Sequence, residues 1–237
     1  MKSPLRKRLP RELKSEFGKY LVVFIMMAIT IGFVSGFLVA DGSMLRAYDN
    51  SFQKYNIEDG YFQTKKKLTP AQKEDIEKSD VKVYENFYIE QKLTNGSTIR
   101  FFKNRKEVDK VCLMKGKMPK KSGEIAVDRM YADNNELKVG DTVKCRKKTF
   151  RITGLVALSD YSALFQNNND TMFDAVKFGV AIVTDKDFEA LNQVKVQYNY
   201  AWIYDKKPAT EKKEKKMAED LMEDMADVVT IESFVPQ

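Results

Sequence analysis

Between Tyr20 and Ala40 the chain runs for 21 residues without a charge (YLVVFIMMAITIGFVSGFLVA). Wound as an α-helix at about 1.5 Å per residue, the run measures roughly 31 Å, enough to cross the hydrocarbon core of a bilayer. The mean hydropathy of −0.47 over 237 residues therefore averages one apolar helix with a polar remainder. A cleaved secretory signal has an apolar region of only about 7–15 residues and a small-x-small cleavage site. Here Leu38-Val39-Ala40 carries leucine where a small residue is needed, so the run reads as a retained anchor.

Charge fixes the expected orientation. Residues 1–19 hold seven Lys and Arg against two Glu, whereas residues 41–237 hold 34 basic and 32 acidic side chains. A basic flank beside an apolar helix places the N-terminus in the cytoplasm and the main domain outside the cell membrane. In this leader Leu5, Leu9, Leu13 and Phe17 recur every four residues, interrupted by Pro10. They form either a short interfacial helix on membrane lipid or a solvated basic tail. The balanced remainder argues against a nucleic-acid partner.

Within the apolar run, Ala28, Gly32, Gly36 and Ala40 are spaced by four and fall along one helical stripe. Small residues so placed let a neighbouring backbone approach closely in lipid, where hydrophobic burial does not drive association. Thr30 and Ser35 offer interhelical hydrogen bonds. The stripe predicts helix packing, in an oligomer or against helices from elsewhere.

Chemistry-bearing patterns are few. The absence of histidine removes Ser-His-Asp and Cys-His catalysis, histidine metal sites and an imidazole switch from this chain. No G-x-x-x-x-G-K-[ST] loop is present to cradle ATP. No catalytic, cofactor-binding or metal-ligating residue is therefore assigned. Glu124, Asp128 and Asp141 read as caps or solvated strand ends. Residues 159–174, with Asp160, Asn167, Asn168, Asn169 and Asp170, lack the D-x-D-x-D-G pattern of a calcium loop and read as a surface loop. Cys112 and Cys145 either pair in an oxidising exterior or remain buried thiols.

The polar part reads as an α+β domain. Residues 41–54 continue the helix as a stalk, with Leu45, Tyr48 and Phe52 at helical spacing. Residues 57–64 form a first strand. Thr69, Pro70 and Gln72 then open a helix with a capping box. A strand over 81–91 leads through Thr94-Asn95-Gly96-Ser97, a hairpin turn, into a strand over 98–102. A β-rich insertion at about 105–158 follows, with strands at 111–114, 124–128, around Val143 to Cys145 with Lys144 and Arg146 facing outward, and at Phe150 to Gly154, plus a short helix over 129–136. The chain closes with a strand over 178–183, a helix capped at Thr184 or Asp185, a strand near 200–204, a helix over about 210–225 and a strand over about 228–234. Tyr198, Tyr200, Trp202 and Tyr204 alternate onto one face, for a core or for a partner. The charge run from Lys206 to Asp224 reads as the solvated face of an amphipathic helix with pairs such as Glu211–Lys215.

Four stretches, in this order, resemble one family. ELKSEFGKYLVVFIMMAITIGFVSGF runs from a basic helix into the apolar one; GKMPKKSGEIAVD (116–128), LKVGDTV (137–143) and FRITGLV (150–156) follow. They are similar to the N-terminal part of FtsX/MacB-like ABC transporter permeases: first transmembrane helix, then extracytoplasmic core domain over 55–237. The resemblance implies a permease subunit without enzymatic activity, no cofactor, a separate partner ATPase, a dimer of permeases, and mechanical transmission or transport of a peptide, lipid or lipoprotein. Further membrane helices would follow near Ser233 to Gln237, making this chain a fragment. Two other readings remain at this stage: a single-span anchored binding or sensor domain, and an anchored hydrolase restricted to carboxylate or metal chemistry.

Overall fold

In a computed structural model, the apolar run is the first half of one unbroken helix, α1 (Phe17–Tyr55, 39 residues), about 58 Å long. The structure describes residues 14–145, 148–161, 163–167, 170–191 and 195–236. Leu5, Leu9, Leu13 and Pro10 of the leader, Arg146, Asn168 and Asn169 lie outside them. No large apolar side chain from Phe17 to Val39 is buried; Leu21, the least open of them, is still 41% exposed. A helix apolar on every side is stable only in an apolar solvent, and α1 is long and apolar enough to cross a membrane. Thr30 does not wait for a neighbouring helix: its hydroxyl donates to the carbonyl of Met26 at 2.8 Å. The chain divides into two compact units, Met1–Ser51 and Phe52–Gln237.

The second unit carries eleven strands joined in one mixed sheet: β1 (Gly60–Thr64), β2 (Val81–Glu85), β3 (Tyr88–Lys92), β4 (Thr98–Phe102), β5 (Cys112–Gly116), β6 (Glu124–Asp128), β7 (Thr142–Cys145), β8 (Lys148–Ala157), β9 (Phe178–Val183), β10 (Val196–Tyr204) and β11 (Ile231–Pro236). Their spatial order is β11-β1-β10-β3-β4-β9-β6-β8-β5, with β2 also on β10 and β7 also on β8. β4–β9 and β6–β8 are parallel; the other pairs are antiparallel. Among the described residues four shorter α-helices, α2 (Pro70–Glu77), α3 (Arg129–Asn134), α4 (Asp185–Leu191) and α5 (Glu211–Val228), and a 3-10 turn (Ser159–Tyr161) complete the unit.

The predicted α2 start is present in full, with Thr69 and Gln72 exchanging the two bonds of a capping box. The stretch read as one strand over 81–91 is divided. β2 and β3 share one antiparallel register on β10 and part at Asn86 and Phe87, where the Asn86 amide still donates to the Asn199 carbonyl at 2.9 Å and its side chain turns to Asp109. The expected Glu211–Lys215 ion pair does not form; Thr210 caps α5, and Leu221 and Met225 bury its apolar side.

Two hydrophobic clusters fill the unit. One gathers Phe62, Ile76, Val81, Val83, Tyr200, Trp202, Leu221 and Met225 from β1, β2, β10, α2 and α5. Trp202 stacks on Phe234, and Phe62 on Tyr200, so the aromatic face of β10 is core. The other joins β3, β4 and β6–β9 with α3 and α4, around Ile99, Phe101, Ile125, Phe150 and Ile182.

Candidate functional site

The last turn of α1 belongs to the second unit, and the residues just beyond it enter a dense set of polar contacts. Asn56 ends the helix in the left-handed region, at φ 50°, a conformation asparagine tolerates better than most residues. Asp109, far along the chain, is also left-handed, at φ 44°. The two segments zip together: the Asp109 amide donates to the carbonyl of Asn56 at 3.0 Å and the Lys110 amide to that of Tyr55 at 2.8 Å. The Asn56 side-chain amide donates to the carbonyl of Glu107 at 2.7 Å. Tyr55 adds a hydroxyl bond to the Cys112 thiol at 2.9 Å. The helix end is thus tied to the loop before β5 by four separate bonds.

Beneath this seam lie three carboxyls and one guanidinium. Asp109 has no exposure, and its carboxylate accepts from the Glu58 amide at 3.0 Å and from the Asn86 side chain at 2.9 Å. Glu58 is buried beside it. Burial, and then the charges of Asp109 and Asp160, push Glu58 well above the usual carboxylate range. Burial and Asp160 raise Asp109 too, against the opposing pull of Arg105 and the bonds from Glu58. Arg105 is buried, pairs with Asp160 at 2.7 Å and stacks its guanidinium 4.2 Å from the Phe102 ring centre. Burial works against its charge, but Asp160 outweighs that and holds Arg105 above its ordinary value. Three ionised carboxylates and one guanidinium at this depth would leave excess negative charge, and the upward shift of Glu58 and Asp109 works against it. Among the described residues no three Cys, Asp or Glu side chains are grouped to hold a metal.

Beside the seam an open cleft of about 760 Å³ is lined by residues 103–108, Phe87, Phe188 and Tyr198. It is large enough for a small ligand or the side chains of a peptide.

The sequence candidates fall elsewhere. Ala28, Gly32, Gly36 and Ala40 lie on one stripe of α1, all exposed, and no atom beyond the helix backbone comes within 4 Å of a Cβ built on Gly32 or Gly36. Asp128 caps α3 by accepting the amides of Met130 and Tyr131, Glu124 accepts those of Lys120 and Lys121, and Asp141 that of Lys138. Asp160 leaves the supposed loop group to bind Arg105, while Asp170 accepts from Asn167. Cys112 and Cys145 form no disulfide with each other; Cys145 donates its thiol to the Gln91 side chain at 2.8 Å. The sequence reading missed Glu58, Arg105 and Asp109. Only Asn56 carried a signal, as a residue suited to a left-handed helix end.

No protein-family model matches this chain, and no curated protein matches it. Among solved structures it is similar to the periplasmic region of MacB from Actinobacillus actinomycetemcomitans, at 12% identity over 70% of this chain and 83% of that one, with a TM-score of 0.37. It is also similar to the extracellular domain of the noncanonic ABC-type transporter YknZ from Gram-positive bacteria, at 11% identity over 75% of this chain and 98% of that one, with a TM-score of 0.36.

Proposed function

We propose that this chain is part of the membrane subunit of an ABC transporter of FtsX/MacB type. In this reading a separate cytoplasmic ATPase drives the movement, and the outer domain of a permease dimer receives it without any catalysis of its own. The observation that carries the proposal is the continuity of α1, which leaves its apolar run and continues without a break to the seam at Tyr55 and Asn56. In this reading α1 would carry the movement, and the four bonds at Tyr55 and Asn56 would hold its end to the outer domain. The four ordered sequence motifs supply the family. The stripe of Ala28, Gly32, Gly36 and Ala40 would pack against companion helices of the same transporter.

Crosslinking the chain in native membranes, followed by purification and mass spectrometry, tests the assignment. Recovery of a subunit bearing a G-x-x-x-x-G-K-[ST] loop supports it. Recovery of the chain with no nucleotide-binding protein favours a single-span anchored binding domain, for which the cleft beside the seam would be the ligand site.

A further inference from the structure

The near-neutral outer domain conceals a separation of charge. Residues 110–151 contain twelve Lys and Arg against five Asp and Glu, whereas residues 152–237 contain nine against fifteen. The fold concentrates the basic part at one edge of the sheet. Arg151 on β8 faces Glu124 of β6 on one side and Thr142 of β7 on the other. Farther along β8, Leu155 and Val156 face β6 on that first side and β5 on the other. β7 and β5 therefore lie end to end along the same outer side of β8. The gap between them is closed by the Gly140 amide on the Ile152 carbonyl and the Lys117 amide on that of Thr153, both at 2.8 Å. The result is one edge about 33 Å long.

Lys115 on β5, Lys117 just after it, Lys144 on β7 and Arg151 on β8 are all exposed, as are Lys120 and Lys121 in the connection that leads from this edge to β6. Among the described residues none of the six has a carboxylate within 4 Å. The two local acids, Glu124 and Asp141, are engaged with backbone amides. On β7 the Lys144 carbonyl already accepts the Thr94 amide at 3.0 Å; along the rest of the edge lysines guard against strand pairing, and charge alone serves that purpose. That role leaves unexplained the large apolar side chains exposed among them: Leu113 at 42%, Met114 at 52% and Val139 at 39%. Register explains how Met114 is presented, because the β5–β8 ladder shifts between Leu113 and Lys115.

We propose that this β7–β5 edge is a docking surface for an anionic phospholipid membrane. Unpaired lysines would meet the headgroup phosphates while Leu113, Met114 and Val139 enter the headgroup–acyl boundary, a pairing of charge and apolar area typical of interfacial binding. The proposal is independent of the permease assignment, since the edge needs no ATPase to bind lipid.

The test uses the full chain held in neutral phosphatidylcholine nanodiscs, mixed with vesicles of phosphatidylcholine alone or of phosphatidylcholine and phosphatidylglycerol in equal parts. Flotation then measures capture, and Trp202 fluorescence confirms that each variant is folded. Capture is expected with the anionic vesicles and should fall as salt shortens the screening length from about 8 Å toward 3 Å. The triple variant Lys115→Gln, Lys117→Gln, Lys121→Gln should bind roughly a hundredfold more weakly, and Leu113→Ser with Met114→Ser about tenfold more weakly. Equal capture by neutral and anionic vesicles, or unchanged capture by the triple variant, overturns the proposal. So does full binding by the serine variant together with displacement by inorganic polyphosphate, which would mark a site for soluble polyanions.

Discussion

Replacing Asp109 by alanine removes the acceptor at the centre of the helix-end seam, and the structure sets the size of the effect. Two buried donors, the Glu58 amide and the Asn86 side-chain amide, lose their partner. Each orphaned donor costs about 1–3 kcal/mol. Alanine at φ 44° adds about 1 kcal/mol of left-handed strain that aspartate bears better. Part of the loss is returned, because Glu58 no longer faces a neighbouring carboxylate. The expected net destabilisation is about 3–5 kcal/mol. Asp109→Gly loses the same bonds without the Cβ and should be milder by about 1 kcal/mol, isolating the strain. Urea unfolding followed at Trp202, the sole tryptophan, measures both. Hydrogen exchange at the amides of residues 109 and 110, which close the seam on Asn56 and Tyr55, should accelerate in parallel. A loss below about 0.5 kcal/mol for Asp109→Ala would show that the carboxylate does not hold the seam, and the reasoning would fail.

Glu58 carries the pH dependence: its carboxyl titrates higher in the folded chain than in the unfolded one, so its contribution is complete below the unfolded value of about 4.5 and is lost as pH rises through the folded value. Glu58→Gln keeps the shape without the proton and should therefore gain stability relative to the native chain between mildly acidic and alkaline pH; a constant difference across urea titrations in that range would refute the assignment. In the membrane, Gly32→Leu or Gly36→Leu should leave insertion intact and abolish crosslinked assembly, because each adds a side chain where close backbone approach is needed; equal crosslinking yields would reduce the stripe to ordinary membrane composition.

Local structure was legible wherever the signal lay within a few residues. The Thr69/Gln72 capping box, the strand Glu124–Asp128 and the alternation that buries Tyr200, Trp202 and Tyr204 each depend on neighbours in sequence. The break at Asn86 and Phe87 was not legible, because Val81, Val83, Phe87 and Ile89 keep strand alternation straight through it. The Asn86 side chain there bonds Asp109, 23 residues away. The seam was invisible for the same reason. Asn56, Glu58, Arg105, Asp109 and Asp160 are ordinary surface types one by one, and only the meeting of distant loops buries them. The basic edge escaped notice because it forms from β5, β7 and β8 together, and the whole-domain charge averages it away.

The central claim is that α1 carries motion between a cytoplasmic ATPase and the outer domain, and pulsed electron paramagnetic resonance measures it directly. Spin labels placed at Met172, which is 83% exposed, report the distance between outer domains of a dimer in membranes containing the partner ATPase. Trapping the ATP-bound state should shift that distance in the native helix. Leu45→Pro, which breaks α1 within the stalk at a cost of about 3 kcal/mol, should abolish the shift while ATP hydrolysis continues. A nucleotide-dependent shift that persists in Leu45→Pro, or none in the native chain, would contradict mechanical transmission through this helix.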